Sequence, residues 1–491
     1  MQLYDKDLLS VQEVRELVEK AKAAQVKLSK LGQSEVDEIV KSIAEAGVRN
    51  AKRLGIMAHE ETGFGVAADK LIKNVFASKM VYEAIKDLKT IGEIKRDDEK
   101  KMRSIAVPMG VIAGLIPSTN PTSTALYKAQ IAIKAGNAII FSPHPTARNS
   151  ILETVKVIRQ AIAEAGGDED LVSSITIPTA QATENLMKHR DISLILATGG
   201  SAMVRAAYSS GTPAIGVGPG NGPAYIDKSA NLAQAVKRII DSKTFDNGTI
   251  CASEQSVICV DDMAGTVQKE MEQQGAYFLS DEEQKKLGAF ILRANGTMNP
   301  LIVGKDVYTI AKLADITIPN GIRVLVAREN GIGRGHPYSN EKLTPILAFY
   351  TAPTYEDVCE LCQKILYYEG AGHTFSIHAK EQAVIDYFAE RIPVSRILVN
   401  TPSALGGIGA TTGLMPALTL GCGAIGGSAT SENVGPLQLF NVRHVAEGTM
   451  EMEDIREENP NSSTSICDDT DIQDADVEAI VAEIMKRIQN P

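Results

Sequence analysis

Four stretches decide the fold: 111-VIAGLIP-117, 138-AIIFSPHPT-146, 193-SLILATGGS-201 and 214-AIGVGPGNGP-223. Each begins as a short apolar run and ends in Gly, Pro, Ser, Thr or Asn. Strands are expected at Val111–Leu115, Ala138–Phe141, Ser174–Ile177, Ser193–Ala197 and Ala214–Val217. Helical patterning fills the gaps near 121–134, 147–165, 180–189 and 201–209. Short apolar strands alternating with helices read as a parallel, doubly wound α/β sheet. Such sheets bind ligands beyond the carboxyl ends of their strands. The small and polar residues there permit tight turns and present backbone N–H groups to an anion. No GxGxxG of the usual dinucleotide type is present, and a Gly-rich loop alone fits an ordinary α/β turn as well as a nucleotide site.

Working outward, 11–31 and 34–48 are helical by periodicity, with Ser34 and Asp37 as the expected cap of the second. A second α/β stretch runs from 250 to about 430. Its expected strands are Val257–Val260, Arg323–Ala327, Ile346–Tyr350 and Arg396–Asn400. The Gly-dense run 405–427 interleaves apolar residues and reads as an ordered loop wall. Residues 451–471 are acidic and polar, a linker by composition. In the last segment Val477, Ile480, Val481, Ile484, Met485 and Ile488 share one helical face, with Asp474 or Asp476 as cap.

The bulk numbers narrow the function. At 491 residues the chain is expected to hold more than one domain. A net charge of −11 argues against nucleic acid as the main partner, although helix ends and local amides bind nucleotides regardless of it. No apolar run approaches a membrane span, and MQLYDKDLLS carries charges where a signal peptide needs an apolar core, so a cytoplasmic enzyme is expected. The six cysteines, at 251, 259, 359, 362, 422 and 467, are irregularly spaced. A disulfide framework is not expected, and the lone CxxC at 359–362 reads as helix packing, so no metal is expected.

Cys251 stands out within 243-KTFDNGTICASEQS-256, because its small neighbours leave room for a substrate and expose amides to it. Taken locally, it is more readily a buried small hydrophobe than a nucleophile. Longer runs decide between the two: IPSTNPTSTA, NAIIFSPHP, LILATGGSAMVRAAYSSGTPAIGVGPGN, SKTFDNGTICASEQS, EKLTPILA, GHTFSIHA and SENVGP. Over residues 10–445 the chain resembles the aldehyde dehydrogenase superfamily, and specifically its CoA-acylating branch.

That resemblance implies two doubly wound parallel-sheet domains plus a small β oligomerisation ribbon. The cofactor domain is 1–245, interrupted by a ribbon segment near 92–108. The catalytic domain is 246–431, the oligomerisation strand 432–446, the linker 447–473 and the terminal helix 474–491. It further implies Cys251 as nucleophile, Asn120 as oxyanion donor with the Cys251 amide, and His373 as a proton-transfer residue or a structural one. Cofactor contacts are implied for Pro117, Ser118, Thr119, Ser142, His144, Thr198, Gly199, Gly200, Ser201, Gly218, Glu341 and Leu343.

The chain departs from the hydrolytic pattern at three places. Val204 replaces the last glycine of GSxxxG. Ser142 and Pro145 replace the residues that grip the adenosine ribose, which leaves NAD, the expected cofactor, open to NADP. Where hydrolytic members carry the glutamate that activates water, this chain reads GVGPGNGP.

The expectation is a reversible oxidation of acetaldehyde or propionaldehyde to acyl-CoA, with coenzyme A as co-substrate. Alternatives are a hydrolytic aldehyde dehydrogenase, an acyl-phosphate reductase and a non-catalytic shell-interaction protein. A homodimer or homotetramer is implied. The 474–491 helix resembles peptides that direct enzymes into bacterial microcompartments, with docking on its own oligomer as the other reading.

Overall fold

The computed structural model describes residues 5–458 together with 481, 482, 485 and 486. The expected helix at 474–491 and the linker beyond 458 lie outside the described residues, apart from those four positions. Residues 5–94 and 106–442 form one compact unit. Residues 95–105 and 443–458 belong to a second, smaller one.

Fifteen strands form three sheets among the described residues. The first two, β1 (Gly92–Asp97) and β2 (Met102–Pro108), join the last, β15 (Phe440–Ala446), in the order β1-β2-β15. This sheet occupies the segments expected to form a ribbon. Within the smaller unit Ser104 Oγ lies 3.2 Å from His444 Nδ1, and the Glu447 amide donates to the Lys101 carbonyl.

The next five strands are β3 (Val111–Ile116), β4 (Ala138–Pro143), β5 (Val172–Ser174), β6 (Ile192–Thr198) and β7 (Ala214–Val217). They pair in parallel in the order β5-β4-β3-β6-β7. Every residue of β3 and β4 is buried, as a sheet covered on both faces requires. The third sheet comprises β8 (Gly222–Ile226), β9 (Glu254–Val260), β10 (Ala276–Phe278), β11 (Val324–Arg328), β12 (Ile346–Ala352), β13 (Gly372–His378) and β14 (Val394–Val399). Its order is β10-β11-β12-β9-β8-β13-β14, again parallel.

Several expectations need correction. The second helix is Gln33–Thr62, not 34–48, and it is capped at Gly32, whose amide donates to Glu35 at 2.8 Å. Ser34 and Asp37 do not cap it; Asp37 is drawn instead to the buried ammonium of Lys134, 2.5 Å away. The strand expected at 174–177 lies at 172–174, because the amides of Thr176 and Ile177 donate to the Glu13 carboxylate and leave the ladder. Residues 222–226 form a strand of the third sheet, so the chain changes sheets at 218–221, ahead of the boundary expected at 245. Part of the expected linker is helical, at Met452–Glu458, where good helix formers follow an acidic first turn.

The CxxC stretch is the helix Tyr355–Tyr368, capped by Thr354 and Asp357, with both cysteines buried in the core. No helix among the described residues is long and apolar enough to cross a membrane.

Candidate active site

The strand ends of the five-stranded sheet open on a cleft of about 550 Å3. Cys251 lies in its wall, and the local sequence explains how. The helix Leu232–Thr244 ends in Phe245, after which Asp246, Asn247 and Gly248 all take left-handed backbone, at φ 48°, 52° and 75°. Three such residues in succession turn the chain sharply, and only glycine adopts this region without cost. Residues 249–253 then pass across the cleft before β9 begins, with the Ser253 amide closing a turn onto the Ile250 carbonyl.

Anchors on other elements hold the strained turn. Asp246 is fully buried, and its carboxylate accepts from the Val66 amide at 2.7 Å, Thr249 Oγ1 at 2.7 Å, Lys73 at 2.5 Å and Lys70 at 3.1 Å. Burial alone would raise this carboxyl, but Lys73 and Lys70 outweigh it and hold it below the usual aspartate value.

Asn120 is the residue before the helix Pro121–Lys134, where β3 ends. Its Nδ2 donates to the Thr249 carbonyl at 2.9 Å, two residues before Cys251. Burial pushes the Cys251 thiol up to about 12, with the charges at Glu341 and Cys422 adding to the effect and Arg396 opposing it. The resting group is therefore the thiol.

Glu341 faces the same cleft. Its Oε1 accepts from the Gly220 amide at 2.9 Å, and its own amide donates to Glu369 at 2.6 Å. Burial, then the neighbouring charge of Glu369, raises the Glu341 carboxyl to about 8. Beneath it, the buried ammoniums of Lys243 and Lys342 are satisfied by carbonyls and by Gln255.

The cleft gathers most of the residues singled out from the sequence. Pro117, Ser118, Thr119, Asn120, His144, Thr198, Gly199, Gly200, Ser201, Gly218, Cys251, Glu341 and Leu343 all line it. Ser142 lines an adjoining, more apolar cavity of about 610 Å3, which shares Pro117, His144, Thr198, Gly199 and Gly200 with the first. Ile408, Leu418 and Leu420 of the Gly-dense run form part of the cleft wall.

The two cavities fit a dinucleotide. A Cβ added at Gly200 or Gly218 would meet nothing within 4 Å, so backbone lies open to a ligand there, and the helix Ser201–Tyr208 starts at the cleft. Among the described residues there is no group of three or more His, Cys, Asp or Glu placed to hold a metal.

His373 is the exception. It is 1 % exposed in β13 and lines neither cavity; Gly220 packs against its ring. Its Nδ1 lies 2.8 Å from Thr374 Oγ1, while Nε2 has no partner. Burial, with Arg396 nearby, lowers its pKa to about 3, so the ring is neutral.

Sequence reasoning missed Lys70, Lys73, Asp246, Glu369 and Arg396. The first two fall in ETGFGVAADKLIKN (61–74), where two lysines three apart look like any solvated helix face.

The aldehyde dehydrogenase family model matches residues 3–413. The bifunctional aldehyde-alcohol dehydrogenase AdhE of Escherichia coli K12 is 44 % identical over 442 residues, covering 89 % of this chain and 50 % of that protein. The chain thus spans about half the length of that curated relative. An acetylating aldehyde dehydrogenase from Geobacillus thermoglucosidasius superposes with a TM-score of 0.90 at 52 % identity, covering 92 % of this chain and 99 % of the other. A propionaldehyde dehydrogenase of Rhodopseudomonas palustris, solved with bound CoA and an acylated cysteine, superposes with a TM-score of 0.80 at 27 % identity, over 88 % of this chain and 97 % of the other. With its two parallel sheets and a cysteine at their shared cleft, this chain belongs to the aldehyde dehydrogenase family.

Proposed function

We propose that this protein catalyses the reversible oxidation of a short aldehyde, acetaldehyde or propionaldehyde, to the acyl-CoA, with NAD as hydride acceptor and coenzyme A as acyl acceptor. One observation carries the choice of acceptor. Residues 218–221, of which Gly220 packs against the Cys251 backbone, contain no carboxylate, and the two carboxylates lining the cleft are both engaged by backbone amides. No free carboxylate is left beside Cys251 to activate water. A thiol acceptor needs no such base once ionised.

The Cys251 thiol gives up its proton to solvent in the cleft, the resulting thiolate attacks the aldehyde carbon, and the carbonyl π electrons move to oxygen. Asn120 Nδ2 and the Cys251 amide donate to that oxyanion, stabilising charge that exists only after attack. A nicotinamide cofactor, when bound, would supply a positive charge and a hydride acceptor, and Pro117, Thr198, Gly199, Gly200, Gly218, Glu341, Leu343, Ser142 and His144 would hold it. As the oxyanion re-forms the carbonyl, the C–H bond of the former aldehyde breaks and its electron pair leaves with the hydrogen as hydride to that acceptor; the thioester this leaves on Cys251 is attacked by the CoA thiolate, which restores the Cys251 thiolate and releases acyl-CoA. One thioester replaces another, so the step runs in both directions. His373, buried behind Gly220 with its Nε2 unpartnered, is proposed as a proton-transfer residue or as a structural part of that wall.

The test is reduced-cofactor formation from acetaldehyde with and without CoA. The expected result is sustained turnover with CoA and, without it, a single burst equal to the Cys251 content. Equal sustained rates in both would overturn the reading in favour of hydrolysis. The same assay run with NADP and a panel of aldehydes tests the cofactor and chain-length choices.

The three-stranded sheet is proposed as the contact of a homodimer or homotetramer in the cytoplasm, measurable by light scattering. The 474–491 segment is proposed to bind a microcompartment shell protein. Deleting it should leave turnover intact and abolish co-purification with shell; retained co-purification refutes the targeting.

A further inference from the structure

A fully buried ionic cluster behind the cleft ties the loop that carries Asn120 to the loop that carries Cys251. Lys70 and Lys73 project from one helix, Ala67–Val75, and both reach the carboxylate of Asp246. Lys70 also donates to the Thr119 carbonyl at 3.0 Å. Lys73 donates to Asn120 Oδ1 at 2.6 Å and to Thr249 Oγ1 at 3.1 Å. Thr249 spends its own hydroxyl proton on Asp246, so toward Lys73 it only accepts. The three hydrogens of the Lys73 ammonium are thus fully used, on an amide oxygen, a carboxylate and a hydroxyl.

We infer that Lys73 is a positioning residue for the reaction: it fixes which end of the Asn120 amide faces the cleft. An asparagine amide has two orientations of nearly the same shape. In the observed one, Oδ1 meets the ammonium and Nδ2 meets the Thr249 carbonyl. Turned over, the NH2 would face an ammonium that can only donate, and the oxygen would face a carbonyl that can only accept. Both contacts would become repulsive. The orientation that survives puts N–H donors on the cleft side, with one of them on a 3.3 Å contact to Thr119 Oγ1 that a developing oxyanion can displace. Asp246 joins the same ammonium to the strained turn before Cys251, so one cation registers donor and nucleophile together.

This inference rests on the reading of Asn120 as oxyanion donor, and a double-mutant cycle separates the two. Lys73→Met, Asn120→Ala, the double variant and Lys70→Met are compared by kcat and KM for aldehyde oxidation with NAD and CoA, and by urea unfolding. Asn120→Ala should lower kcat about 10²-fold with little change in KM, the usual effect of losing one oxyanion donor. Lys73→Met should lower kcat at least about tenfold in the parent, but less than about twofold in the Asn120→Ala background, because it acts through that amide. Lys70→Met removes the same charge without touching Asn120, so its cost should be equal in both backgrounds. Equal cost of Lys73→Met in both backgrounds overturns the inference. Near-parental kcat in Asn120→Ala overturns the oxyanion reading itself. Lys73→Gln, which keeps an N–H donor without the charge, carries the same cycle if Lys73→Met does not fold. It should recover part of the lost kcat where Asn120 is present and none where it is absent.

Discussion

Gly220→Ala is the sharpest perturbation of the cleft that a single methyl group can make. Gly220 does not adopt the left-handed backbone that only glycine tolerates, so alanine is conformationally acceptable there. The obstacle is a neighbour: a Cβ would sit 1.9 Å from the Cys251 carbonyl oxygen, 2.9 Å from its carbon and 3.2 Å from His373 Cε1. Ordinary contact begins near 3.4 Å, so the two backbones must separate by about 1.5 Å. Gly220 cannot retreat freely, because its amide donates to Glu341 at 2.9 Å. Either the Cys251 loop moves, or the Gly220–Glu341 bond breaks and the Gly220 loop moves. A displacement of about 1 Å at a reacting group costs on the order of 10²-fold in rate. Overpacking of this kind costs about 1–3 kcal/mol in stability.

The assay is kcat/KM for the aldehyde with NAD and CoA, beside urea unfolding of the same preparation. The expected outcome is a fall of about 10²-fold or more in a protein that still folds cooperatively. Gly218→Ala is the comparison, since its Cβ meets nothing within 4 Å. It should fold like the parent and act only on cofactor KM. If Gly220→Ala stayed within about threefold of the parent, the Cys251 backbone would not be held where the mechanism needs it.

Three further outcomes follow from the same geometry. Burial raises the Cys251 thiol to about 12, so iodoacetamide labelling of its peptide in the free protein should rise about tenfold per pH unit between about pH 7 and 9; a plateau in that range refutes the protonated resting state. Cys359 and Cys362, 2 % and 0 % exposed, should stay unlabelled until the protein unfolds. Asp246→Asn should destabilise by about 3–5 kcal/mol in urea, since two buried ammoniums lose their carboxylate. Asp246 is held below its ordinary value of 3.8, so its contribution is complete above that value and is lost as pH falls through the depressed one. The acid limb of stability should therefore flatten in Asp246→Asn, and an unchanged limb counts against the cluster.

Much of this was legible in the sequence, and the reason is local. The strands of the first sheet are apolar runs bounded by Gly and Pro, and a sheet buried on both faces leaves that mark on consecutive residues. Cys251 and the cleft loops sit in stretches whose small residues are neighbours along the chain, so the family likeness reached them directly. What failed locally was decided by distant partners. Asp37 reads as a helix cap until Lys134 is seen to claim it. Residues 174–177 read as strand until Glu13 takes two of their amides.

The sequence by itself thus determined the class of fold and most of the residues that line the cleft, because periodicity and loop chemistry act over a few residues. Only the tertiary structure decided how the site is held. Lys73 and Asp246 are 173 positions apart, and Lys73 and Asn120 are 47 apart. A buried lysine is spelled like a solvated one; what distinguishes them is the carboxylate that folding brings within reach.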